Sequence, residues 1–195
     1  MANTNAPFGF SPTATVNGPV NFRISQRKIA SGNNTAIYKG DAVSPVIGTA
    51  TGYITQSTAT TTAIVGIFLG CQYFSTSQKK TLNMPYWPGS DATGDVTAYV
   101  MDDPNATFRC QAGGTNVGFA KIGQLIQLNV GTGSTSTGNS GMYVESPNTT
   151  ATLPFVIIGI PSSATDPDPT LAYNLVTVGF NNQIFKSNGA VTGIS

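Results

Sequence analysis

Ala63-Ile64-Val65-Gly66-Ile67-Phe68-Leu69-Gly70-Cys71 is the stretch on which the fold reading turns. It is a short, almost continuous apolar run rich in β-branched residues, the pattern of a strand buried on both faces. With residues 153–160 it is the longest apolar run in the chain, and both are under half the roughly 20 residues needed to cross a bilayer. No membrane partner is expected.

Shorter runs of the same kind lie on either side. Upstream, Val20, Phe22 and Ile24 alternate, and Ala36-Ile37-Tyr38 leads into Gly40-Asp41. Downstream come residues 96–101, 108–111, 119–130, 142–145, 155–160, 172–180 and 183–185. Each is ended by Gly, Pro, Asn or Asp, which punctuate strands. About ten runs with a turn signal every 8–15 residues predict an all-β fold, a single β-sandwich, jelly roll or barrel-like domain. Only residues 119–128 (FAKIGQLIQL) have partly helical spacing, and Gly123 with the Gln-Leu alternation favours strand.

The body is read as residues 21–195, preceded by an arm over residues 1–20 (MANTNAPFGFSPTATVNGPV). Pro7, Pro12 and Pro19 break any helix there. Fully stretched, such an arm reaches about 65 Å at about 3.3 Å per residue, far enough to cross onto a neighbouring subunit; the alternative reading of the same residues is a frayed terminus. Residues 131–141 (GTGSTSTGNSG) read as a flexible polar loop, residues 162–170 (SSATDPDPT) as a proline-stiffened one, and residues 57–62 (STATTT) as a strand edge or surface loop.

Composition narrows the function classes. Charged residues are 9% of the 195, against about 25% in an ordinary soluble protein, and the net charge is +1. No global field draws nucleic acid or an anionic membrane. Arg23, Arg27, Lys28 and Lys39 precede the first acid, Asp41, whereas Glu145, Asp166 and Asp168 have no base after them until Lys186. Such an uneven balance suits docking on oppositely charged neighbours. Cys71 and Cys110 are too few for a disulfide framework and are expected reduced and buried. No basic residue precedes Arg23 and no apolar h-region follows, so no secretory signal is expected.

Catalytic readings lack parts. Gly138-Asn139-Ser140-Gly141 looks like the surround of a serine nucleophile, yet the chain has no histidine to act as its base. Gly131, Gly133 and Gly138 fit neither a phosphate loop nor a dinucleotide fingerprint. Asp91 with Asp95, Asp102-Asp103-Pro104-Asn105, and Asp166 with Asp168 are oxygen donors by type, but read as turns before a metal site. The expectation is a non-enzyme with no metal and no cofactor. The Asn-x-Ser/Thr triplets at Asn33, Asn105 and Asn148 read as chance. Tyr86-Trp87-Pro88, with the only tryptophan, reads as a barrel plug before a sugar platform.

Four stretches carry a resemblance: Ala2-Asn3 with Asn5-Ala6-Pro7-Phe8-Gly9 and Pro12; Thr35-Ala36-Ile37-Tyr38-Lys39-Gly40-Asp41-Ala42-Val43; residues 64–73 (IVGIFLGCQY) with Tyr86-Trp87-Pro88; and residues 99–105 (YVMDDPN) with Phe108 and Gln111. In this order they resemble the head decoration, or cement, proteins of tailed bacteriophages. The likeness covers roughly residues 1 to 111. Ser11 stands where many such proteins have Arg.

The resemblance implies a structural protein on the outer surface of a virion, made in the bacterial host cytoplasm, that stabilises the capsid by bridging major capsid protein subunits. Its partners would be that protein and further copies of itself, as a homodimer or homotrimer, with no nucleic acid and no membrane. On this reading Pro7, Phe8, Phe10 and Pro12 are apolar pegs of the arm, and Arg23, Arg27 and Lys28 meet an acidic capsid surface. The alternative is a carbohydrate-binding or host-adhesion module in which Tyr86 and Trp87 face the sugar.

Overall fold

A computed structural model describes residues 2–15, 22–48, 52–161 and 166–186 of the chain. The decisive run becomes β6 (Gly66–Phe74), the longest described strand. Successive side chains on a strand point to opposite faces. Ile67 enters one core and Phe68 another, which is why neither face of this strand is polar at that point.

β6 belongs to an antiparallel sheet with β2 (Ile24–Ile29), β4 (Ala42–Pro45), β5 (Ile54–Gln56) and β9 (Val96–Met101), in the order β2-β9-β6-β4-β5. A parallel bridge from Lys28 of β2 to Tyr53, just before β5, links the two edges of the sheet, so it curls into a barrel. Ile29, Val43, Phe68, Val96, Ala98 and Val100 fill the core it encloses. The same core takes Ile37 and Trp87 from a two-stranded ladder, β3 (Ile37–Tyr38) with β8 (Tyr86–Trp87). β7 (Thr81–Met84) pairs with the far end of β6.

The second sheet holds β1 (Ser11–Thr15), β10 (Ala106–Gln111), β11 (Leu125–Asn129), β12 (Tyr143–Asn148), β13 (Phe155–Gly159) and β14 (Leu175–Phe180), in the order β1-β10-β14-β13-β11-β12. It curls too, for Ala112, just past β10, bridges Val144 of β12 in parallel. Phe108, Phe155 and Phe180 fill its core. The two bodies meet where Ala42, Ile67 and Met101, from the barrel sheet, join that core. The all-β barrel-like expectation therefore holds.

Three readings change. Residues 119–130 divide into a 3-10 turn at Phe119–Lys121 and β11, with Gly123 (φ +86°) between them. Residues 183–185 form no strand but cross onto the barrel, where Ile184 N–H donates to the Ile64 carbonyl at 3.0 Å. The loop expected to be flexible over residues 131–141 is pinned: Gly138 N–H donates to Ser134 O at 2.7 Å, and Lys39 N–H to Gly138 O at 2.9 Å. Of residues 162–170, the first four lie outside the described residues, as do Val16 to Val20 of the arm and Asn21, the first body residue.

The arm itself is docked. β1 pairs antiparallel with β10, Ser11 opposite Arg109. Asn3 Nδ2 donates to the carbonyls of Asp168 and Ala172 at 2.8 and 2.9 Å, and Gln111 reaches both Ala6 N–H and the Thr4 carbonyl at 2.9 Å. Phe10 N–H donates to the Gly40 carbonyl at 2.9 Å. Proline excluded helix from this stretch, and a polar, proline-bearing edge strand meets the same constraint.

Gly9 sits at the junction with φ +78°, where a Cβ would stand 2.7 Å from the Gly40 oxygen and 2.5 Å from Ser140 Cβ. Gly9→Ala is expected to cost about 2 kcal/mol through left-handed strain and that collision. Urea unfolding of the variant against wild type measures it.

Candidate interaction surface

On the outer strand β2, Ile24, Gln26 and Lys28 are exposed and Arg27 is half-buried, and Arg23, just before it, is exposed too. Asp102, which follows β9, is fully buried between them. Arg23 Nε donates to its Oδ1 at 2.8 Å, Arg27 Nη2 to its Oδ2 at 2.7 Å, and Ser25 Oγ also bonds Oδ2. Gln183 Nε2 donates to the backbone carbonyls of Val65 and Asp102, both at 2.9 Å. The Phe185 ring closes the cluster, its centroid 4.5 Å from the Arg27 guanidinium carbon and 6.0 Å from that of Arg23.

This changes the reading of two expected capsid contacts. Arg27 is committed to an internal carboxylate, because a buried acid needs its counter-charge close. Arg23 makes the same pair from an exposed position, its side chain 54% accessible. Lys28 remains on the surface, its Nζ donating to Thr97 Oγ1 at 2.9 Å.

The expected apolar pegs separate as well. Phe8 is exposed, and Pro7 and Pro12 are half-buried. Phe10 is a core residue, stacked on Phe155 at 4.5 Å and edge-on to Phe108 at 6.5 Å. As a peg it is therefore ruled out in this fold, since a Phe ring released into water forfeits its burial.

The aromatic pair is placed by β3 and β8. Trp87 is fully buried, its Nε1 donating to the Asn33 carbonyl at 3.2 Å and its ring edge-on to Tyr73 at 5.1 Å. Tyr86 stacks on Tyr38 at 5.5 Å. Trp87 serves as core, and a sugar platform built on it is excluded.

The other polar groups of interest are occupied in structure. Ser140, 3% exposed, accepts from Met142 N–H at 2.9 Å. Asp41 accepts from Tyr38 N–H at 2.8 Å and Gln56 Nε2 at 2.7 Å, and burial still raises its pKa despite these bonds and one with Ser140. Asp91 takes hydrogen bonds from Ser75, Thr76 and Ser77, led by the Ser75 hydroxyl, which hold its carboxyl down at about 2. Asp103 accepts from Asn105 N–H at 2.9 Å, the turn expected there. Among the described residues no three His, Cys, Asp or Glu side chains come together in a way that would hold a metal ion.

Both cysteines are free and buried, Cys71 in the barrel core and Cys110 in the other. Burial pushes the Cys71 thiol up to about 12 and raises Cys110 as well. A thiol so far from ionising is a poor nucleophile. Neither cysteine is expected to react with a thiol reagent at pH 8 until the protein is unfolded. A colorimetric titration with and without guanidinium checks this.

Two large apolar side chains stand in water instead: Ile47 is 93% exposed and Phe119 is 82% exposed. Sequence reasoning placed Phe119 in a strand and passed over Ile47. The one available signal was the turn chemistry beside each, Gly48 after Ile47 and Gly118 before Phe119. Comparison with protein-family models, with curated proteins and with solved structures finds no match to this chain.

Proposed function

We propose that this chain is a virion structural protein that decorates a tailed-phage capsid from outside and stabilises it by bridging neighbouring major capsid protein subunits. One contrast supports the reading. The side chains with chemical potential, Asp41, Asp91, Asp102, Cys71 and Cys110, are engaged or buried within the fold, whereas Phe119 and Ile47 project from a surface low in charge. Isolated apolar anchors on a rigid β body suit a protein that works by contact. Phe8, Arg23 and Lys28 are the accessible members of the contact set that the resemblance implies.

An interface of ordinary size, about 800 Å² per partner, would be multiplied by the repeat of the capsid lattice and by self-association as a dimer or trimer. No single strong bond is then required. The experiment is co-sedimentation of the purified protein with undecorated shells of the same phage. Wild type is expected to saturate the shells at a fixed copy number, and Phe119→Asp or Ile47→Asp to lower the occupancy without changing the circular dichroism spectrum. Shells left bare by wild type at micromolar concentration overturn the proposal.

A further inference from the structure

Where β12 returns onto the end of β10, a cleft of about 400 Å³ opens beside the docked N-terminal segment. Tyr143 and Tyr173 line it together with Asn5, Thr132 and the glycines 113 and 131. Three features mark it as more than a surface crevice.

Tyr173 has φ +60°, a left-handed conformation that a bulky residue adopts only when its surroundings impose it. Two hydrogen bonds to its backbone do so, Tyr173 N–H donating to the Gly113 carbonyl and the Gln111 side-chain Nε2 donating to the Tyr173 carbonyl, both at 3.1 Å. Gly113 is the second feature. A Cβ there would lie 3.0 Å from both Glu145 Oε2 and Tyr143 Cε2, so a residue without a side chain lets the Tyr143 ring settle close against this backbone at the cleft floor. The third is the lining chemistry. No Lys or Arg lines the cleft, and the nearby carboxylate, Glu145, accepts from Asn129 Nδ2. Burial, with Glu145 and Tyr173 nearby, raises the Tyr143 phenol and leaves it protonated as a donor.

A phosphate or a carboxylate would meet a negative group and no cation here. A flat aliphatic ligand would leave the Asn5 amide and the Thr132 hydroxyl without partners. Two aromatic side chains for C–H contact beside neutral donors and acceptors match a polyol. We propose that this cleft binds a neutral saccharide, with Tyr143 and Tyr173 as its walls and Asn5 and Thr132 at its rim. Its lining includes neither Trp87 nor a member of the arginine cluster, shares only Pro7 with the contact set of the capsid reading, and does not depend on that reading.

The test uses the intact protein on a glycan array that includes lactose, maltotriose and sialyllactose, followed by saturation-transfer NMR with the neutral probe best retained. Wild type is expected to retain at least one neutral glycan. Tyr173→Gly removes a wall while suiting the left-handed backbone, and Asn5→Ala alters an exposed rim residue, so both should fold. Tyr173→Gly is expected to weaken binding roughly tenfold and Asn5→Ala to weaken it measurably, with shell decoration unchanged in each. Retention of no neutral glycan, preference for the sialylated probe, or unaltered affinity in both variants overturns the assignment.

Discussion

Asp102→Ala is expected to destabilise the fold by about 3 kcal/mol, because it removes a buried carboxylate and its charge-assisted hydrogen bonds, while the two arginines left behind keep partial access to water. Here the loss falls on two guanidinium groups and the Ser25 hydroxyl at once. In a chain of this size that corresponds to a fall in Tm of about 10 °C. The dependence on pH has a definite sign. Burial alone raises the Asp102 carboxyl, but the bonds from Arg23, Ser25 and Arg27 outweigh it, and the net pKa lies below the ordinary 3.8.

A carboxyl with a lowered folded pKa contributes stability that is present above the unfolded value and is lost as pH falls through the folded one. Asp91, held at about 2, acts in the same direction. Asp41, raised by burial, acts in the opposite one. Wild-type stability is therefore expected to decline from about pH 4 toward pH 2, more steeply than in Asp102→Asn. Urea midpoints across that range decide the matter. Parallel curves for the two proteins, or an alanine variant within 1 kcal/mol of wild type, would show that the cluster is incidental.

Phe10→Ala should cost about 3–5 kcal/mol, the usual penalty for emptying a buried aromatic site. Its ring lies against Phe155 and Phe108, and Phe180 stacks beyond, 5.9 Å from Phe155 and 5.0 Å from Phe108. Phe8→Ala, two residues earlier and exposed, should stay within about 1 kcal/mol. Deleting residues 2 to 18 is accordingly expected to reduce folding itself, because it takes away both Phe10 and β1. A deletion variant with wild-type thermal stability would return this segment to the status of a free arm.

The strands buried on both faces were legible, since an uninterrupted apolar run such as residues 64–69 has few other readings. Trp87 as core was legible too, from the aromatic pair beside two prolines. The docking of residues 2–15 was not. Ala-Pro-Phe-Gly-Phe-Ser-Pro shows where helix is impossible, but the partners of Phe10 lie about 100 and 145 residues away in sequence, and no local pattern announces them. The same distance hid the Asp102 cluster, whose arginines stand 79 and 75 residues upstream. Asp-Asp-Pro-Asn was read as a turn, and Asp103 does make it; its neighbour Asp102 is turned inward instead. The cleft of Tyr143 and Tyr173 escaped because it assembles from five separate segments, each unremarkable by composition.

Ile67 and Phe68 are adjacent in the chain yet belong to opposite interiors. Sliding β6 by a single position would exchange them, so its register is specified twice, once by each side. Insertions and deletions in this strand are for that reason expected to be poorly tolerated, since one added residue would scramble two compartments together. Changes of length are expected to be accommodated instead in turns such as residues 58–61, where Thr58 and Thr61 bond to one another and to Thr60.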